Sequence, residues 1–426
     1  MNLYLKGLIL INNIKNKADL ILNYLILLFS LTITFHFINK YIVILMFIVW
    51  LLVLPSKKLI FFFKKSFLFQ MFLIFSIMLL LPYLWTEKFE NNFFYGSFSS
   101  YGLNYIYSFF LPIIIISTSI KKEFINKNIN MFILSIIVSC ILSLCIFLEI
   151  FSIDYSHTSQ PLNPIPFQLT HIQYSLFLAV GSFLMLYKVI FNKLSLFYIS
   201  LFLFIVYILF LTEGRTGQYP FILIMLLYII IYFKDKIKLM IIFLVIFFTT
   251  LIFIYNISES FKYKFDTTVN NIKNVFIDRN FTSSIGVRIG SYYVFSSIVE
   301  KDNMIFGVGM SNKENYVAIK SKQYFPYRVS NYDELGRLEN VYLEMIISNG
   351  LFGILILILF YGSIFKLKLK DKNMIYIKYT TFLFLILSGL AVDIWSFFSI
   401  KILFGYFIGL LLASNYYYRE VKNEKI

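Results

Sequence analysis

Apolar runs of about twenty residues recur along the whole length of this chain, and nothing else in the sequence constrains its fold so strongly. A run of that length matches the hydrocarbon thickness of a bilayer when coiled as an α-helix. The runs fall near residues 20–38, 41–56, 67–85, 102–119, 131–151, 169–190, 195–212, 217–233, 239–256, 340–362, 375–393 and 397–416. With 59% hydrophobic and 14% charged residues among 426, no soluble core can hide the apolar surface. Segments of about ten residues with strict alternation do not repeat, which argues against a β-barrel. The expected fold class is therefore all-α, a polytopic transmembrane helical bundle of about twelve spans. The break at Gly214 leaves open that the seventh and eighth runs form one bent unit. Residues 3–13 are too short to span and suit the membrane interface.

Lysine and arginine set the orientation. With the amino terminus in the cytoplasm, 23 of the 38 basic residues fall in cytoplasmic segments and four in short outer segments (Lys40, Lys88, Arg215 and Lys401). That asymmetry places both termini in the cytoplasm. The remaining eleven, Lys262 to Arg337, lie in one long polar interval, and long loops translocate regardless of charge. The expected division is spans 1–9 over residues 1–257, a large and mostly helical extracytoplasmic loop over 258–338, and spans 10–12 with a cytoplasmic tail over 339–426. Outer segments 86–101 and 152–168 read as irregular caps on the bundle.

The long loop carries its own pattern. Ile257, Phe261, Phe265, Val269, Ile272 and Phe276 recur every three to four residues, predicting an amphipathic helix along the membrane surface. Asp278 to Thr282 breaks it. Ser283 to Glu300 reads as a second helix, which carries Arg288. Phe306-Gly307-Val308-Gly309 reads as a turn, and Ser311-x-x-Glu314 as a capping box that starts a third helix.

Several function classes are excluded by what is missing. The net charge of +16 belongs to cytoplasmic loops, so no nucleic-acid partner is implied, and membrane lipids are the surroundings. Cys140 and Cys145 share one apolar run and read as buried, unbridged thiols. There is no HExxH, CxxC or Asp-rich loop, so neither a metal nor another cofactor is expected.

Five polar side chains and one histidine remain as candidates. Arg215 stands in Thr212-Glu213-Gly214-Arg215-Thr216-Gly217, a short turn between two spans. An arginine at membrane depth costs about 2.5–3.5 kcal/mol on insertion scales unless it is paired or hydrated. It either snorkels to headgroups or pairs with Glu213, or it is a fixed anion-binding group. Gly214 and Gly217 would leave room for a ligand, and the helix start would offer N–H groups to a phosphate. Arg288 alone is an ordinary loop arginine. Glu339-Asn340-x-x-x-Glu344 opens the tenth span. Glu339 is either a helix cap or a base. Glu344 lies deeper and is either hydrogen-bonded to a neighbouring helix or a second candidate base. Asn340 and His171, which opens the sixth span at the outer face, are possible substrate contacts.

Taken in order, Glu213-Gly214-Arg215-Thr216, then Arg288 ahead of Ile305-Phe306-Gly307-Val308-Gly309, then Glu339-Asn340-Val341-Tyr342-Leu343-Glu344 and Gly350-x-x-Gly353 resemble the O-antigen ligase and polymerase superfamily of bacterial envelope enzymes. The resemblance covers roughly residues 170–360. It implies a metal-independent glycosyltransferase of the inner membrane whose active site faces the periplasm. Its donor would be a glycan on undecaprenyl pyrophosphate. Its acceptor would be a hydroxyl of the lipid A–core oligosaccharide in a ligase, or of another repeat unit in a polymerase. Arg215 and Arg288 would then bind the donor pyrophosphate. One departure is visible: ligases usually carry a histidine before the asparagine, and here that residue is Glu339. The Arg-x10-Gly pattern of some polymerases is also absent, since Leu226 and Val299 stand where the glycines would be. A lipid-linked glycan transporter or flippase is the reading from a different class. It would call for charges at mid-depth, whereas Arg215, Glu339, Glu344 and Asp393 cluster near the outer face.

Overall fold

In the computed structural model, the described residues are 2–80, 102–150, 164–191, 195–212, 214–257, 259–301, 304–309, 313–324 and 338–423. Glu213, Ser311, most of both outer caps and the interval 325–337 lie outside them. Among the described residues all regular structure is helical. Where they are described, the apolar runs are largely helical, because a backbone in lipid can satisfy its own N–H and C=O groups locally only by coiling.

Among the described residues, seven helices are long and apolar enough to cross a membrane: His36–Val53, Lys122–Phe147, His171–Phe191, Arg215–Tyr232, Ile237–Ile257, Val341–Phe365 and the apolar part of the last helix, Phe398–Glu420. An eighth is reached if Ser56–Lys65 and Phe67–Leu80, bent by 88° at Ser66, count as one span. Leu103–Ser119 and Leu196–Leu211 are shorter apolar helices. Residues 3–13 are continuous with the first apolar run in one helix, Asn2–Leu31. The break at Gly214 also resolves, into two helices that end and begin around a tight turn.

The last helix is the centre of the body. Its apolar window is 89% buried by protein, whereas that of Ile237–Ile257 is 0% buried and faces outward along its length. Small residues permit the central packing: a methyl on Gly409 would come 2.9 Å from Ile116 of the Leu103–Ser119 helix.

Three loop helices follow the ninth apolar run: Glu259–Asp278, Ser284–Lys301 and Lys313–Tyr324. The first departs from its sequence pattern in one respect. Phe261, Thr268 and Val275, seven apart, are its buried face, while Phe265, Val269, Ile272 and Phe276 stay uncovered by protein. The second and third enclose a small core of their own with the start of the Val341–Phe365 helix: Val294, Ile298, Met304, Val317, Leu338, Leu343 and Ile347.

The Phe306–Gly309 turn and the Asn349-Gly350 pair, read separately in the sequence, are two halves of one joint. Gly350 has φ +70° and ψ −166°, which breaks the Val341–Phe365 helix. The carbonyls and amides released there bond the turn: Val308 N–H to Ile347 O (2.8 Å), Gly309 N–H to Ser348 O (2.9 Å) and Leu351 N–H to Met304 O (2.9 Å). The Asn349 amide donates to Met78 O at 3.0 Å, tying the joint to the Phe67–Leu80 helix. Buried backbone polar groups must be paired, and this loop supplies the partners that the broken helix lost.

Candidate active site

Arg215 is the first residue of its helix, and the turn that presents it is fixed from below. The Gln218 side chain donates to Leu209 O (3.0 Å) and Thr212 O (2.7 Å), capping the carbonyl end of the preceding helix. Gly214 and Gly217 do not leave room for a ligand. A methyl at Gly214 would fall 2.1 Å from Ser175 Cβ and 2.5 Å from His171 O, and one at Gly217 would fall 2.2 Å from Ser175 O. The glycines admit the start of the His171–Phe191 helix instead, and the Gly217 N–H is taken by Ser175 Oγ at 3.1 Å. His171 thus lies beside the arginine turn through its backbone, with its side chain exposed. The Arg215 guanidinium reaches the first loop helix, donating from Nη1 to Thr268 Oγ1 at 2.8 Å. Tyr219, one turn on, donates to the same oxygen at 3.4 Å.

Arg288 comes from the second loop helix, 73 positions later. Its Nε donates to Ala391 O at 2.8 Å. Burial pulls its pKa below the usual arginine value; the Glu339 carboxylate pulls it up and Arg215 pulls it down. Arg288 therefore stands close enough to both Glu339 and Arg215 to feel their charges. Two half-buried guanidinium groups within electrostatic reach of one another are a setting that favours an anion.

Asn340 is the N-cap of the Val341–Phe365 helix. Its Oδ1 accepts from Tyr342 N–H (2.9 Å) and Leu343 N–H (3.2 Å), and its Nδ2 donates to Tyr292 Oη (2.7 Å) and Leu390 O (3.2 Å). Tyr292 sits one turn after Arg288. Asn340 is thus committed to structure on both ends of its amide, and it fixes the residue before it, Glu339, beside Arg288.

Glu344 has different surroundings from those expected of a base in an open site. Its Oε1 accepts the Leu338 N–H at 2.5 Å, and its Oε2 pairs with Lys313 Nζ at 2.6 Å. Lys313 also pairs with Asp393 Oδ2 at 3.6 Å. All three are buried. Burial alone would lower the Lys313 pKa, but Glu344 and Asp393 outweigh it and hold the ammonium above its ordinary value.

The structure brings Arg215, Arg288, Glu339 and Asn340 into one region and places His171 at its edge. Sequence reasoning missed Thr268, Tyr219, Tyr292 and Lys313. Tyr219 and Tyr292 were within reach of it, since each lies four residues after an arginine on a helix. A cavity of 1240 Å³ lined by Lys121, Lys122, Lys370, Asp371 and Tyr417 lies elsewhere. It opens at the start of the Lys372–Gly389 helix, about 27 Å along that helix from Leu390 at 1.5 Å per residue, so it is separate from this region.

Compared with known families, residues 200–358 match the family model described as O-antigen ligase. The matched stretch takes in Arg215, the three loop helices, Glu339, Asn340, Glu344 and the Gly350 joint. No curated protein matches the chain.

Proposed function

From its membership of the O-antigen ligase superfamily, carried by residues 200–358, we propose that this multi-pass membrane protein is a glycosyltransferase that moves a glycan from undecaprenyl pyrophosphate to an acceptor hydroxyl. The acceptor is the lipid A–core oligosaccharide, which makes the chain an O-antigen ligase of the inner membrane working on the periplasmic side. The observation that supports this reading is that Arg288, carried by the second loop helix, stands within electrostatic reach of both Arg215 and Glu339.

The chemistry follows from charge. As the acceptor oxygen attacks the anomeric carbon, the bond from that carbon to the pyrophosphate oxygen breaks and negative charge grows on the leaving group. Guanidinium groups already held in place stabilise that charge without reorganising, which lowers the barrier. The acceptor hydroxyl loses its proton to the Glu339 carboxylate, in the position where relatives usually carry a histidine. A single displacement of this kind inverts the anomeric centre. Glu344, with both oxygens engaged, holds the turn that presents Glu339 instead of taking a proton itself. Asn340 does the same from the helix N-cap.

Glu339 is also the observation that favours the second reading, a repeat-unit polymerase with the same donor site. The two separate in the electrophoretic glycolipid profile of a deletion strain. Loss of a ligase leaves bare core and glycan accumulating on the lipid carrier, and loss of a polymerase leaves core bearing one repeat unit. Complementation with Arg215→Ala or Arg288→Ala is expected to fail although both proteins reach the membrane. A normal profile with either variant would sink the proposed donor site.

A further inference from the structure

The short connector before the last helix receives one bond from each of three elements around the site, the second and third loop helices and the Val341–Phe365 helix with its cap. Leu390 O accepts from Asn340 Nδ2 (3.2 Å), Ala391 O accepts from Arg288 Nε (2.8 Å), and Asp393 Oδ2 pairs with Lys313 Nζ (3.6 Å). Asp393 is itself fixed, its Oδ1 accepting the Trp395 N–H at 3.2 Å. From the other side, Lys313 holds Glu344 at 2.6 Å, and Glu344 holds the Leu338 N–H. Leu338 and Asn340 flank Glu339. The residue read as base is therefore gripped on both sides, and both grips lead back to residues 390–393.

We infer that Lys313 and Asp393 are positioning residues: through Glu344 they clamp the Leu338–Asn340 turn onto the 390–393 connector and so set where the Glu339 carboxylate stands relative to Arg288. Three observations carry this. The three charges are buried, and an ion pair withdrawn from water is kept only where its geometry is well satisfied. Lys313 belongs to the third loop helix, Glu344 to the tenth apolar run and Asp393 to the connector, so one ammonium joins three separate elements. No local helix requirement explains it, because Asn340 already caps the helix. The clamp also makes correct loop docking a condition for a competent site, since without Lys313 two buried carboxylates face each other unpaired.

The catalytic part of this inference rests on the reading of Glu339 as base; the clamp itself does not. The test therefore has two arms on the purified full-length protein in detergent. The first is hydrogen exchange. Lys313→Met is expected to lose protection at Leu338–Asn340 while the Ile347–Gly350 joint keeps it. The second is steady-state transfer. The same variant should lose about 100-fold in kcat with the donor KM nearly unchanged, the signature of a misplaced group in an otherwise intact donor site. If Lys313→Met fails to accumulate, the triple variant Lys313→Met with Glu344→Gln and Asp393→Asn removes all three charges together and is measured in the same way. Wild-type protection at Leu338–Asn340 in the variant that accumulates would overturn the clamp. A protection loss with wild-type kcat would overturn its positioning role, as would kcat and KM failing together with protection lost throughout. Should Arg215→Ala and Arg288→Ala keep full transfer while the exchange arm behaves as expected, the clamp stands and the donor-site reading is what fails.

Discussion

Gly350 and Gly307 both have positive φ, +70° and +71°, and each faces backbone of the other's segment. A methyl on Gly350 would sit 2.0 Å from Ile305 O, and one on Gly307 would sit 2.5 Å from Ile347 O. Alanine at either position must distort the joint as well as its own backbone, so each is expected to cost about 1–3 kcal/mol or more. Thermal unfolding in detergent would read this as a lowered Tm, and an unchanged Tm in both variants would contradict the joint. At Glu339 the expectation is chemical. Glu339→Gln keeps the size and removes the base, and should lower kcat about 100-fold or more. Glu339→His, which restores the residue usual in relatives, should keep measurable transfer. Arg215 was legible in the sequence because a charge in a turn between two apolar runs demands a reason. Lys313 was not, because its partners Glu344 and Asp393 are distant in the chain and no local pattern announces them.

At the scale of elements, the apolar periodicity carried most of the information, and the loop helices were readable where a break or a stripe marked them. Ser284–Lys301 and Lys313–Tyr324 fall where the pattern put them. What periodicity does not tell is which face meets protein and which meets lipid. On Glu259–Asp278 the apolar stripe and the protein-facing side differ, and Thr268, a polar residue, is buried because it receives Arg215. Nor do separate glycine motifs reveal that they bond to each other. The third loop helix carries a pH expectation. The Lys313 pKa is raised, so the stability that its charge contributes is fully present below the ordinary lysine pKa of about 10.4 and fades only as pH rises through the higher folded value. A Tm profile of the wild type should show no loss from this group between about pH 7 and pH 9.5. A stability loss with its midpoint in that window, absent from Lys313→Met, would contradict the buried ion pair. Breaking the pair one-sidedly should cost about 3–5 kcal/mol, more than the neutral triple variant, because it leaves charge buried without a partner.

For the whole molecule, the helical membrane class was fixed by composition and run length alone, while the number of crossings was not. Helices of 16 residues, such as Leu196–Leu211, and pairs bent at a single serine do not announce from sequence whether each crosses. The site was legible as a set of charges near one face. Its assembly was not, because a loop helix must fold back over the body to bring Arg288 to Arg215. The proposed donor site depends on that folding: in it, two arginines from distant parts of the chain would hold one pyrophosphate while a hydroxyl displaces it. The most direct measurement uses purified protein in detergent with a lipid-linked glycan donor, an acceptor and no ion gradient. Release of undecaprenyl pyrophosphate matched by glycan transfer is expected from the wild type, and none above background from Arg215→Ala or Arg288→Ala. Turnover by either variant at the wild-type rate, or a wild-type protein that binds the donor without converting it, would contradict the proposal.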